Sequence, residues 1–292
     1  MKIIDFRLRP PTYPYKGFFF KEAVYGCCRS YDWPVSPSYV KSLEGEKGAT
    51  DDEALELLYK EMDEMDIEIG LMNGRHSDKF IPPCHVEDNY LAELSKHSKG
   101  RLWGLAGVNF DKPMNDIISG IEMGVKELGM KGACMEPGLA SKPMYADDEY
   151  LMPIYKTLAD LNLPLLFMTG PFSGPDISYT HPLQFERVAI KFPRLPIILG
   201  HACYPYVSET IALAFRSGFT QNIYVSPDVY MFAPGGSVYA EAINWQPTRY
   251  LFASAYPFGN LKDVIERTLA LPIKKELLDR YMYSNAAKLL KL

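Results

Sequence analysis

Short apolar runs alternate with stretches of helical periodicity along almost the whole chain, the pattern of a parallel sheet in which each strand is followed by a helix. The first run, Ile3–Leu8, begins near the first residue and stops at Pro10-Pro11. Strand alternation would set Ile4, Phe6 and Leu8 on one side and Arg7 and Arg9 on the other. Further strands are expected at Ile67–Met72, Leu102–Asn109, Gly132–Met135, Leu165–Met168, Ile197–Leu199, Ile223–Val225 and Tyr250–Ala253. A helix through Met65, capped by Asp51 or Thr50, would carry Leu55, Leu58, Met62 and Met65 on one stripe. Others are expected over Val86–His97, Asn115–Leu128 and Asp147–Leu161, and amphipathic helices close the chain through Leu290. The segment from Pro11 to about Ala49 is rich in Tyr, Phe, Pro and Gly and has no period; it reads as a long functional loop without regular structure.

Eight strand-plus-helix units with no linker or repeat predict a single (β/α)8 TIM barrel over residues 1–292, with a long aromatic-rich loop after strand 1. A doubly wound sheet is the competing topology. Chemistry in such a barrel belongs at the C-terminal ends of the strands, and that narrows the search to the residues that follow each apolar run.

Composition changes the picture in three ways. At 47% apolar residues over 292 positions the chain can bury a large core. The net charge of -5 argues against nucleic acid or an anionic membrane as partner. Five scattered cysteines and no apolar run of membrane-spanning length suit a soluble, reduced, cytoplasmic protein.

Against that acidic background, Arg7, Arg9 and Arg75 stand out at the ends of strands one and two. A guanidinium fork suits a carboxylate, so the three are expected to hold a small carboxylated metabolite, with Thr169 after strand five as a further substrate contact. The alternative is that they pair internally with Glu136 or Asp228. His201, after strand six, has the pKa for acid–base work, and Asp228 or Glu136 could orient it, activate a water or neutralise an arginine. Tyr256 could donate to a substrate oxygen, and the aromatics from Tyr13 to Tyr39 could close over the pocket. Asp176 and His181 read as loop-holding or helix-capping residues. Dinucleotide, phosphate-loop, zinc-finger and nucleophile-elbow motifs are all missing, so no cofactor is expected.

The order Ile3-Ile4-Asp5, Leu163-Pro164-Leu165, Leu199-Gly200-His201-Ala202, Leu251 to Pro257 and Asn285 to Leu290 resembles the amidohydrolase superfamily. The likeness is to its amidohydrolase-related group, with barrels of the 2-pyrone-4,6-dicarboxylate lactonase and galactarolactone isomerase type. The resemblance implies a TIM barrel and a metal held by His-x-His after strand one, a His after strand five, a His after strand six and an Asp after strand eight. Here those places carry Arg7 and Arg9, Met168, His201 and Ala255. Guanidinium cations would repel a dication, so no metal is expected. The resulting expectation is a metal-independent hydrolase of a small carboxylated substrate, most plausibly a lactone. Isomerisation, hydration or non-oxidative decarboxylation on the same barrel is the alternative, as is a non-catalytic barrel that binds an acidic metabolite. Exposed apolar turns leave room for a homo-oligomer contact.

Overall fold

The structure, a computed structural model, describes residues 1–15, 21–44, 51–78, 84–216 and 218–292. Seven parallel strands form one sheet in the order β1 (Ile3–Asp5), β2 (Ile67–Asn73), β5 (Leu102–Gly107), β6 (Ala133–Met135), β7 (Leu165–Met168), β8 (Ile197–Gly200) and β9 (Ile223–Ser226). Residues 250–256 supply the eighth stave through isolated contacts. Leu251 N donates to Val225 O, Phe6 N donates to Phe252 O, and Leu8 bridges Tyr256 in parallel. The sheet thereby closes on itself, as a TIM barrel does.

Side-chain chemistry explains the layers. Ile4, Phe6, Ile69, Leu71, Leu105, Leu166, Ile198 and Leu251 fill the barrel interior. A larger apolar layer lies between the staves and the surrounding helices. Helix α3 (Asp52–Glu64) buries Leu55, Leu58 and Met62, while Met65 caps its end and is half-buried. Asp51 occupies the N-cap position, but its carboxylate accepts from Tyr13 N at 2.9 Å, and Thr50 lies outside the described residues.

Three expectations change. The aromatic-rich segment is not structureless where it is described: it contains helices α1 (Lys21–Tyr31) and α2 (Pro37–Ser42), with Tyr15, Trp33 and Tyr39 buried. Proline at the start of α2 fits a first helical turn, whose amide is unpaired anyway. Second, β3 (Arg75–Ser77) pairs antiparallel with β4 (Cys84–Val86), a ribbon that replaces the expected beginning of a helix; α4 then covers Asp88–His97. Third, the alternation in the first strand stops early. β1 ends at Asp5 and the chain bends at Phe6, so Leu8 packs in the outer layer while Ile4 and Phe6 face the interior. That bend turns Arg7 into the barrel mouth.

The remaining helices are α5 (Met114–Lys126), α6 (Met152–Asp160), α7 (Pro182–Lys191), α8 (Val207–Phe215), α9 (Val238–Trp245), α10 (Leu261–Leu269), α11 (Lys275–Asp279) and α12 (Asn285–Leu290). His181 caps α7 by accepting from Leu183 N, and Asp176 accepts from Ser178 N, so both hold local structure. Among the described residues no helix is long and apolar enough to cross a membrane.

Candidate active site

At the C-terminal ends of β1, β8 and β9 one charged cluster is assembled. Arg7 Nη1 lies 2.8 Å from Asp228 Oδ2, with side chains 1% and 0% exposed. Arg7 Nη2 lies 2.9 Å from His201 Nδ1. Asp228 Oδ2 also accepts from His201 N at 3.2 Å, so the carboxylate holds the backbone of the turn as well as the guanidinium.

Nδ1 also lies 3.3 Å from Asp228 Oδ1, but its shorter contact is to Arg7. A guanidinium has only donors, so that contact favours a lone pair on Nδ1, which puts the single proton of neutral His201 on Nε2. Burial first, and Arg7 second, push the pKa of His201 down to about 4. Asp228 moves below the ordinary carboxylate range: burial pushes it up, but Arg7 and then His201 outweigh that. A fifth of the His201 side chain remains exposed. The cluster therefore offers a fixed cation, a neutralised carboxylate and one imidazole N–H.

The turn that presents His201 is backbone-strained and held from several sides. His201, Ala202 and Cys203 have φ of 66°, 49° and 54°, and Asp228 and Ala255 have 45° and 57°. Left-handed non-glycine residues cost about 1–2 kcal/mol each and cluster at functional sites. The compensation is visible. Thr169 Oγ1 donates to Gly200 O at 2.5 Å and accepts from Cys203 N at 2.8 Å, and Tyr239 donates to Ala202 O at 2.7 Å. Thr169 is thus spent on scaffolding the turn. Gly170, at φ 141°, passes so close that an added Cβ would lie 3.2 Å from the His201 ring.

The other expected residues are placed differently from one another. Arg9 donates through Nε to Tyr256 O at 3.0 Å and through Nη2 to Ala255 O at 2.6 Å, tying strand one to the eighth stave. Arg75 pairs with Glu136 at 2.6 Å, both largely buried. The three arginines therefore have internal partners: Arg7 and Arg75 pair with Asp228 and Glu136, as the alternative reading had it, and Arg9 is held by backbone carbonyls. Tyr256 is fully buried and its hydroxyl meets Ser38 Oγ at 2.7 Å, within a network that includes Ser36 and Glu61; it is not brought to His201. Of the carboxylates expected to orient His201, Asp228 is the one the structure places against it, while Glu136 pairs with Arg75.

One feature escaped the sequence. Asp5 is fully buried, accepts from Arg7 N at 3.0 Å and Ser254 N at 2.9 Å, and has no partner for Oδ2 among the described residues. Burial pushes its carboxyl up. An aspartate inside an apolar strand was the available signal. Strand-end tyrosines add an aromatic wall: Tyr230 meets the His201 ring edge-on at 5.0 Å and stacks on Tyr204 at 4.7 Å, with Tyr31 near enough for Asp228 and both tyrosines to act on its phenol electrostatically. Burial raises the pKa of Tyr230 and Tyr31, so both stay neutral phenols.

A metal does not fit this donor set. Among the described residues no group of three or more His, Cys, Asp or Glu could hold an ion, and the guanidinium of Arg7 contacts both ligand-type residues at the mouth. A barrel with a charge-neutralised acid–imidazole pair at its strand ends defines the class. The chain belongs to the amidohydrolase family, a family of enzymes, whose model matches residues 59–292. Among solved structures it is similar to the uncharacterized TIM-barrel protein Bb4693 from Bordetella bronchiseptica, with 31% identity, a TM-score of 0.86 and coverage of 100% of this chain and 99% of that one. It is also similar to 2,6-dihydroxybenzoate decarboxylase from Rhizobium, with 17% identity, a TM-score of 0.66 and coverage of 100% and 99%. A third is the dihydroxybenzoic acid decarboxylase of Polaromonas sp. JS666 with bound manganese and 2-nitroresorcinol, with 18% identity, a TM-score of 0.66 and coverage of 100% and 97%. At 17–18% identity the last two establish the fold alone. No curated protein matches the chain.

Proposed function

We propose that the protein is a metal-independent, non-oxidative decarboxylase of a small carboxylated ring compound. The observation that carries this reading is the Arg7 guanidinium seated between Asp228 and Nδ1 of His201. Hydrolysis of a lactone would need a base to activate water. Asp228 is tied to Arg7, Glu136 to Arg75, and the basic nitrogen of His201 faces a guanidinium. What the cluster offers instead is electrostatic stabilisation of a developing anion at a desolvated site. In a decarboxylation the carbon–carbon bond to the carboxylate breaks, carbon dioxide leaves, and a proton from solvent takes its place on the ring carbon. His201 Nε2–H would hold a ring oxygen as charge develops there, Arg7 would fix the imidazole's tautomer, and Tyr204 and Tyr230 would bound a planar substrate.

The decarboxylases of similar fold make the assay concrete. Purified protein, stripped with chelator, would be offered hydroxybenzoates and carboxylated lactones, with carbon dioxide release and ring opening followed separately. Release from a hydroxybenzoate, unaffected by chelator and lost in His201→Asn, is the expected result. Lactone opening without carbon dioxide, or turnover that requires added manganese or zinc, would overturn the reading.

A further inference from the structure

A cavity of about 530 Å³ lies far from His201, at the N-terminal end of the barrel. Its position follows from its walls. Arg249 precedes the eighth stave, and α12 closes this end by packing Ala286, Ala287 and Leu289 into the barrel interior. A volume of this size is that of an ordinary small-molecule site.

The lining is chemically unusual. Arg249, Arg280 and Lys288 face the same space as Glu276 and Asp279, yet none of these five charged groups forms an ion pair among the described residues. Arg249 is half-buried, donates to Gln221 O and lies over the Tyr224 ring at 6.0 Å. Asp279 accepts from Ser284 across a π-helical turn, Arg280–Ser284.

Asn285 supplies an independent observation. It is only 8% exposed and lines the cavity. Its amide nitrogen donates to Pro247 O at 2.7 Å and Tyr250 O at 2.8 Å, which fixes the orientation of the group. Oδ1 is not among the buried acceptors left without a partner, so it stands open to the space it lines. An accessible amide acceptor, two carboxylates and three cations at one cavity are complementary to a molecule that carries both an ammonium and a carboxylate.

We infer that this cavity is a second binding site, for a small zwitterion of the amino-acid type. The ammonium lies against Asn285 Oδ1, Glu276 and Asp279, and the carboxylate against Arg249, Arg280 and Lys288. The inference stands apart from the reaction at His201. Its test uses calorimetry and thermal shift on the full chain with a ladder of ω-amino acids from glycine to 6-aminohexanoate, together with the dicarboxylate and the diamine of matching length.

The expected result is that at least one rung binds about tenfold or more tightly than either control. Glu276→Gln and Arg280→Gln, both at exposed positions, should each weaken it by a similar factor without unfolding the chain. Asn285→Ala is informative only alongside these two, because it also releases two carbonyls. Failure of every rung at about 10 mM, equal binding of the dicarboxylate, or binding that survives both charge variants would overturn the assignment.

Discussion

Replacement of Arg7 by methionine isolates the central electrostatic claim, because it keeps an unbranched side chain and removes the charge. The loss leaves Asp228, at 0% side-chain exposure, without its 2.8 Å cation. Breaking a buried pair in this way costs about 3–5 kcal/mol. The cost should depend on pH, and the sign follows from His201. In the native protein its pKa lies near 4, below the unfolded value near 6.5, so the unfolded chain binds the extra proton and stability falls as pH drops through that window. At pH 5 that loss amounts to about 2 kcal/mol, from 1.5 pH units at about 1.36 kcal/mol each. Without Arg7, the burial that chiefly lowers His201 remains, but His201 can more readily take a proton and pair with Asp228, so the variant escapes part of this loss. Protonation of Asp228 itself would act in the same direction. Urea unfolding followed by circular dichroism should therefore give a destabilisation of about 3–5 kcal/mol at pH 8 that shrinks at pH 5, by at most about 2 kcal/mol. A penalty below about 1 kcal/mol, or one that is the same at both pH values, would refute the proposed arrangement.

Other outcomes follow from single contacts. Gly170→Ala puts a methyl 3.2 Å from the His201 ring at a backbone φ of 141°, and should cost about 1–3 kcal/mol while lowering turnover, read by paired melting and activity measurements. Tyr256→Phe removes a buried hydroxyl from Ser38 and should destabilise by about 1 kcal/mol in urea titration, with turnover retained in the fraction that stays folded. Burial raises Asp88 to about 6, so this group's contribution to stability declines as pH rises between about 4 and 6. Asp88→Asn, which can still accept from Gly107 N, should be more stable than the parent above pH 6 and lose that advantage near pH 4, as read from melting temperature across that range.

Most of the barrel was legible because buried strands write continuous apolar runs: Leu165–Met168 appears in the structure with the expected bounds, and β8 and β9 extend theirs by one residue. The eighth stave was also legible, although Tyr250–Ala253 makes its contacts one at a time and forms no regular ladder. The ribbon of β3 and β4 was not, since three-residue strands carry no period. The helices around Cys28 and Tyr39 were hidden by composition, because Tyr, Phe and Gly dilute a helical stripe that tertiary contacts then stabilise. Within the site, strand ends identified Arg7, His201 and Asp228 as candidates but not as mutual partners. That depended on the bend at Phe6 and the left-handed turn at His201, neither of which leaves a mark in residue type.

The guanidinium of Arg7 has a consequence for redesign. Arg7→His alone would strand Asp228 without its 2.8 Å counter-charge, with Arg9, Met168 and Ala255 still unable to complete an ion's coordination. A metal centre could be built at this mouth only by several substitutions made together.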